Sequence, residues 1–154
     1  MIGGTAGISD DTQRQNRMEA DEELAAWIAE HGIAAFCRRW MDLPIIASQS
    51  SIISPYRELL TQRKMTNSAK GLQDSLLGMG AGVMEPLWKR LPEIRVPTLV
   101  VVGENDMKYR SLGKQLVQEL PYACLRVIPN AGHCAQLENP NGFTKYFQEF
   151  LLEL

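Results

Sequence analysis

The sequence predicts an α/β fold in which a long helical region leads into a parallel βαβα unit. Apolar residues recur at helical spacing up to about residue 91, and this period then gives way to the continuous apolar run Thr98–Val102. That run is largely β-branched, which is typical of a parallel strand buried on both faces. A second strand-like run, Cys124–Ile128, follows an amphipathic helical pattern over residues 110–120. Two parallel strands joined by a helix form one right-handed βαβ unit.

The helical region divides into five predicted helices, each marked by a capping residue, a proline or a glycine. Ser9 or Asp10 can cap the first helix, Asn67 or Ser68 can cap the fourth, and a proline at the first helical position opens the third. The glycine-rich run 78–82 ends the fourth helix and is interpreted as a hinge. The predicted helices cover residues 11–31, 33–43, 54 to about 64, 68–77 and a short stretch from residue 85.

The two ends of the chain also carry structural signals. Asn139-Pro140 opens a closing helix, whose inward stripe is predicted to consist of Phe143, Phe147, Phe150 and Leu151. Met1–Gly4 is typical of the last residues of a third strand. Two strands with helices on both faces cannot bury the flanks of so apolar a sheet. We therefore expect the second half of a larger α/β domain, which self-associates or pairs with a chain supplying the N-terminal half.

Composition excludes several classes of function. The net charge of −2 and the lack of a Lys/Arg run disfavour nucleic acid as a partner. No unbroken apolar run, Leu99–Val102 included, approaches the length of a membrane span. Three widely spaced cysteines indicate neither a disulfide framework nor a zinc site, so we expect no metal and no cofactor. This cysteine usage favours a reducing compartment, the cytoplasm or, in a photosynthetic eukaryote, the plastid stroma.

Two residues that follow the predicted strands suggest a catalytic role. Asp106 follows the strand-like run that ends at Gly103, and His133 lies in the turn Ala131-Gly132-His133 after the second run. An acid that orients a histidine, which in turn moves the proton of a nucleophile, forms two thirds of a catalytic triad. The alternative is that Asp106 only turns the chain and His133 is a hydrogen-bonded loop histidine. Cys134 is disfavoured as the nucleophile, because adjacent side chains on such a segment diverge.

The flanking residues carry a family resemblance. Pro97–Asp106 and Pro129–His133 resemble the last two strands of the α/β-hydrolase superfamily. Further segments resemble the 2-succinyl-6-hydroxy-2,4-cyclohexadiene-1-carboxylate synthases (MenH) of menaquinone and phylloquinone biosynthesis. In chain order these are Gly4–Ile8, Arg17-Met18 with Asp21, Trp40 with Pro44, Gln62-Arg63, residues 78–82 before Leu87-Trp88, and Asp106 with Lys108-Tyr109. The resemblance implies the C-terminal half of an α/β-hydrolase fold, with residues 1–9 as a strand end and turn, 10–92 as a helical lid, and 93–154 as the βαβα part of the core.

The resemblance also implies a reaction and a set of roles. Members of this family eliminate pyruvate from a succinyl-bearing cyclohexene carboxylate, with the triad serine as a base, so the expected partner is a small anionic substrate. His133 would activate the serine and Asp106 would orient His133. Arg17, Arg63 and Lys108 would bind carboxylates, and Trp40 would pack on the substrate ring. The alternative without a functional role is that the three cations lie on solvated helix faces and that Trp40 is a residue of the hydrophobic core.

One element of the family pattern is missing from these residues. No Gly-x-Ser-x-Gly sequence occurs, although this motif carries the nucleophile in α/β-hydrolases. We therefore expect the function of the family but no activity of this chain alone. Two other interpretations stay open, namely an α/β-hydrolase that cleaves an ester or lactone, and a non-catalytic fragment that acts only by association.

Overall fold

A computed structural model describes all 154 residues of the chain. It contains seven α-helices, two strands and two short 3-10 helices at Ser48–Ser51 and Trp88–Glu93. The α-helices are α1 (Asp11–Met41), α2 (Pro44–Ala47), α3 (Ser54–Met65), α4 (Ala69–Met79), α5 (Met107–Glu119), α6 (Ala135–Glu138) and α7 (Pro140–Leu152). The strands are β1 (Thr98–Gly103) and β2 (Ala123–Ile128). None of the helices combines the length and the apolar character that a membrane-spanning segment requires.

The chain divides into two compact units, which are described separately. The first, called the sheet unit, comprises Met1–Ala6, Leu43–Arg57 and Trp88–Leu154. The second, called the helical unit, comprises Gly7–Asp42 and Glu58–Leu87.

A parallel two-stranded sheet organises the sheet unit. Thr98 lies opposite Ala123 and Gly103 lies opposite Ile128, and α5 connects the two strands, which confirms the predicted βαβ unit. Along the other edge of β1, Ile2 forms one parallel bridge with Val101. The predicted contact of the N-terminal residues with the sheet is therefore present, although it is limited to a single bridge.

Alternate residues of β1 enter two hydrophobic clusters, one on each face of the sheet. One cluster, on the side of α5, consists of Ala6, Leu91, Val100, Leu116 and Leu120. The other consists of Leu99, Val101, Ile128, Ala131 and Ala135, covered by Phe143, Tyr146 and Phe150 of α7. Because successive side chains of a strand point to opposite faces, burial of both faces requires the uninterrupted apolar run that the sequence shows.

The helical unit is built on the packing of α4 against α1. α1 is bent at Gly32, whose φ of 75° and ψ of 178° are non-helical, which confirms the predicted break after His31. Ser68 caps α4 by accepting a hydrogen bond from the Gly71 N–H at 2.9 Å, as the sequence predicts. The buried residues of α1 are Asp21, Ala25, Ile28 and Cys37.

The predicted inward stripe of the closing helix is wrong at two positions. Phe143 and Phe150 pack against the sheet, whereas Phe147 is 43% and Leu151 is 50% exposed. The two strands present too narrow a surface to cover the whole stripe, and the partly buried Tyr146 of α7 packs against the sheet instead. Phe147 instead lines an apolar groove together with Met1, Ile2, Leu99 and Phe143.

We expect this chain to self-associate, because the exposed apolar surface around that groove is stabilised when a second copy removes it from water. Phe147→Lys should lower the average molecular mass, since burial of an unpaired charge in an apolar contact is unfavourable. Thr144→Lys adds the same charge at an exposed position of α7 outside the groove and should leave the mass unchanged. Light scattering after size-exclusion chromatography measures both, and a monodisperse unmodified monomer would contradict the expectation.

Candidate active site

The loops that follow β1 and β2 lie side by side in the sheet unit. The Glu104 N–H donates to Ile128 O at 2.9 Å, and the Asn105 N–H donates to Ala131 O at 2.8 Å. The Glu104 carboxylate accepts the Asn130 N–H at 2.8 Å. The carboxyl ends of parallel strands meet at one edge of a sheet, which is where ligands bind in open α/β folds.

Gly103 permits the close approach of these two loops. A Cβ atom at this position would lie 2.0 Å from Gly132 O and 2.3 Å from Ala131 O. Both of these atoms belong to the backbone and cannot move aside as a flexible side chain could. The residue at the end of β1 must therefore be glycine if the loop that carries His133 is to pack against it.

Asp106 and His133 form the pair that the sequence predicts. His133 Nδ1 lies 2.7 Å from Asp106 Oδ2, and Asp106 is only 7% exposed. The second carboxylate oxygen, Oδ1, accepts the Tyr109 N–H at 3.3 Å and so caps α5. Because an ionised carboxylate only accepts hydrogen bonds, Nδ1 carries the proton. His133 Nε2 is then the nitrogen that can take a proton from a nucleophile.

The first turn of α5 contributes two further residues near the histidine–acid pair. The ring of Tyr109 packs on the imidazole, with 4.5 Å between the ring centroids. Lys108 is exposed in the first turn of α5, two residues after Asp106, and its Nζ lies 5.8 Å from the centroid of the Tyr109 ring. The predicted cation is therefore placed near the histidine–acid pair. The packing role of Tyr109 was not assigned from the sequence, although Lys108-Tyr109 is part of the resemblance.

Arg17 is held by an acid within the helical unit. Its Nε lies 2.9 Å from both carboxylate oxygens of Asp21, one turn further along α1. Asp21 is only 5% exposed, whereas 44% of the Arg17 side chain is accessible to solvent. A buried carboxylate thus orients a guanidinium group at the surface, so Arg17 is more than a freely solvated residue of a helix face.

Trp40 lines a largely apolar cavity of about 250 Å³ in the helical unit. Its ring lies 5.4 Å from that of Phe36, centroid to centroid. The other lining residues are Phe36, Cys37, Lys64, Asn67, Leu72, Ser75 and Leu76. Arg63 is exposed at the end of α3 and is not part of this lining, whereas its neighbour Lys64 is. The structure therefore brings Trp40 together with Lys64 rather than with Arg63.

Comparison with known proteins identifies the family. The alpha/beta hydrolase family matches residues 6–145, so the chain belongs to that family. The chain is 33% identical over 150 residues to a putative 2-succinyl-6-hydroxy-2,4-cyclohexadiene-1-carboxylate synthase of Bacillus subtilis (strain 168). It is 29% identical to the synthase of the same name from Serratia proteamaculans (strain 568). Each comparison covers 97% of this chain and 55% or 56% of the relative, so the chain spans about half the length of these curated relatives.

Solved structures give the same relationship. The match to the structure of MenH from S. aureus covers 99% of this chain and 57% of the MenH chain, with a TM-score of 0.95 and 28% identity. A thermophilic esterase from Thermogutta terrifontis matches 90% of this chain with a TM-score of 0.73 at 22% identity, which shows the shared fold alone. These matches confirm the fold class and the homology to the synthase that the sequence predicts.

Gly103→Ala should lower the free energy of unfolding by about 1–3 kcal/mol or more, because the new methyl group would overlap two backbone oxygens. Gly78→Ala is the matched control, since a Cβ atom there meets nothing within 4 Å. Because Gly78 lies in α4, alanine should be neutral there or stabilise by up to about 1 kcal/mol. Chemical denaturation measures the free energy of unfolding of both variants. Equal stabilities would contradict the close packing of the two loops.

Proposed function

We propose that this chain provides the histidine–acid pair and the anion-binding residues of an enzyme that acts as a 2-succinyl-6-hydroxy-2,4-cyclohexadiene-1-carboxylate synthase. That reaction eliminates pyruvate from a succinyl-bearing cyclohexene carboxylate. The observation that supports this choice is the TM-score of 0.95 to the S. aureus MenH structure, against 0.73 for the esterase. The fold and the Asp106–His133 pair alone would suit many reactions of the superfamily.

The proposed mechanism divides the work between a serine and this chain. His133 Nε2 takes the proton of the serine hydroxyl while the serine oxygen removes a proton from the substrate. The electron pair of that C–H bond forms the new ring double bond as the bond to the pyruvate group breaks, and His133 then gives its proton to the departing anion. Asp106 keeps Nδ1 protonated and stabilises the imidazolium that forms. None of the serines in the 154 residues lies in a Gly-x-Ser-x-Gly sequence. In the proposed enzyme the serine is therefore contributed by residues other than these.

Lys108 and Arg17 supply positive charge of the kind that such a substrate requires. Lys108 lies two residues from the acid of the pair, and Arg17 is oriented by the buried Asp21. Charge-assisted hydrogen bonds to carboxylates are about twice as strong as neutral ones, so they can hold a multiply anionic molecule while its charge shifts. The cavity beside Trp40, with Lys64 in its lining, has the mixed character that a ring bearing carboxylates requires.

Asp106→Asn should lower kcat by about 10⁴-fold, because an asparagine amide can hold the imidazole in the wrong tautomer. The fold should persist, since asparagine also caps helices well. Asp74→Asn in α4, an exposed acid paired with Lys70, is the matched control and should change nothing. Turnover is measured with this chain joined to the serine-bearing half of a synthase relative, and near-normal turnover of Asp106→Asn would refute the role of the pair.

Substitution of a cation separates the synthase from an ordinary esterase. In the same joined protein, Lys108→Ala should lower kcat/KM for the anionic substrate by about tenfold to a hundredfold, which corresponds to one lost hydrogen bond between charged groups. Cleavage of a neutral ester should be retained, because it needs no anion-binding group. Arg17→Ala should behave alike, and Lys145→Ala, an exposed lysine of α7, serves as the control.

The outcomes of that experiment are distinct. If turnover of the anionic substrate is lost while cleavage of the neutral ester is retained, the synthase is supported. If neither substitution changes either activity, an esterase or lactonase is favoured. Failure of the joined, unmodified protein with either substrate favours a chain that acts only by association.

A further inference from the structure

The side chain of Glu138 lies against the backbone of the loop that carries His133. Its Oε2 accepts the Gly132 N–H at 2.6 Å, and its Oε1 accepts the Cys134 N–H at 3.0 Å. The Ser48 hydroxyl donates to Oε1 at 3.2 Å. A single carboxylate therefore holds the residue before His133, the residue after it, and a residue from a distant part of the sheet unit.

Gly132 makes room for this arrangement. A Cβ atom at Gly132 would lie 2.2 Å from Ser48 Oγ and 3.1 Å from Glu138 Oε2. Any side chain at this position would displace the hydroxyl, the carboxylate or the loop itself. The absence of a side chain at Gly132 is thus a condition for the contact between Ser48 and Glu138.

A second side chain from the same segment contacts the loop. Gln49 is buried, and its Nε2 donates to Cys134 Sγ at 3.0 Å. Ser48 and Gln49 are consecutive residues of the 3-10 helix Ser48–Ser51. The backbone and the side chain of Cys134 are therefore both engaged, the first by Glu138 and the second by Gln49.

We propose that Glu138 is a positioning residue for His133. Its ionised carboxylate fixes the backbone on both sides of the histidine, so that the imidazole meets Asp106 Oδ2 at 2.7 Å. Glu138 acts through the loop and contacts neither the substrate nor the reacting atoms. The catalytic meaning of this inference rests on the proposed function, whereas the geometric part can be tested without a substrate.

The chemistry of the contacts requires a carboxylate. All three partners of Glu138 are donors, and they are distributed over both of its oxygens. Glutamine has only one acceptor oxygen. In one orientation its NH₂ group faces the Gly132 N–H, and in the other it faces the Cys134 N–H, so one donor always meets a donor. Glu138→Gln is therefore nearly isosteric but breaks one side of the arrangement.

The test uses this 154-residue chain uniformly labelled with ¹⁵N. The sequence contains two histidines, so His31, whose Nδ1 lies 2.9 Å from Trp27 O, is an internal reference. A far-downfield Nδ1 proton of His133 reports its hydrogen bond to Asp106. Hydrogen exchange at the Gly132 and Cys134 amides reports the contacts with Glu138. Glu149→Gln, the same substitution at a partly exposed residue of α7 outside the loop, is the matched control.

In Glu138→Gln we expect the downfield resonance of His133 to shift or broaden, while His31 is unchanged. Exchange at one or both loop amides should accelerate about tenfold or more, as the loss of a hydrogen bond to a charged group predicts. Glu149→Gln should show neither effect. A folded Glu138→Gln protein with an unchanged His133 resonance and unchanged exchange would overturn the proposal.

Ser48→Ala provides a milder variant if Glu138→Gln does not fold. It removes only the hydroxyl that anchors Oε1, so the carboxylate should become less ordered and the two loop amides should exchange severalfold faster. Unchanged exchange in this variant would overturn the proposal as well.

Kinetics separate this inference from the proposed function. In the joined, active protein, Glu138→Gln should lower kcat by about tenfold to a hundredfold with KM unchanged, because a slightly misplaced histidine slows the reaction without affecting substrate binding. A merely structural role would lower the amount of active protein and leave kcat per active site unchanged. If the joined protein turns over no anionic substrate, the proposed function fails, and the resonance of His133 still decides the role of Glu138.

Discussion

The packing of the His133 loop on the end of β1 is the contact on which the rest of the site depends. The backbone oxygens of Ala131 and Gly132 lie where a side chain of residue 103 would be, so the two loops touch without intervening side chains. Because His133 directly follows Gly132, the position of its Cα atom, from which the imidazole side chain extends, is fixed by backbone contacts. The side chain then needs only a suitable rotamer to reach the carboxylate of Asp106, at 2.7 Å.

Asp106 links the start of a helix to the position of the histidine. One oxygen caps α5 through the Tyr109 N–H, and the other receives His133 Nδ1. The first turn of α5, which carries Lys108 and Tyr109, is consequently placed relative to the same carboxylate that orients the imidazole. A displacement of Asp106 would disturb the proton-transfer group, the ring that packs on it and the nearby cation together. Coupled roles of this kind favour a rigid site.

The sequence predicted what depends on local patterns. The β1 run, the caps at Ser68 and Asn139 and the pairing of Asp106 with His133 follow from periodicity, capping chemistry and position at strand ends. The contacts of Ser48 and Gln49 with the His133 loop join residues about 85–90 positions apart, in a short polar segment without any period. The exposure of Phe147 and the placement of Lys64, rather than Arg63, at the Trp40 cavity depend on how each helix is rotated in its unit. A pattern of apolar residues does not fix that rotation to within one position.

Specificity in the proposed enzyme must come from residues outside the histidine–acid pair, since that pair is suited to many reactions of the family. Arg17 and Asp21 illustrate the physical compromise. A buried acid fixes the direction of the guanidinium, which lowers the entropic cost of binding an anion, but it also neutralises part of the positive charge. An arginine held in this way contributes geometry more than charge. Net attraction for a multiply anionic substrate then requires further cations, such as the exposed Lys108 beside the histidine–acid pair in the sheet unit.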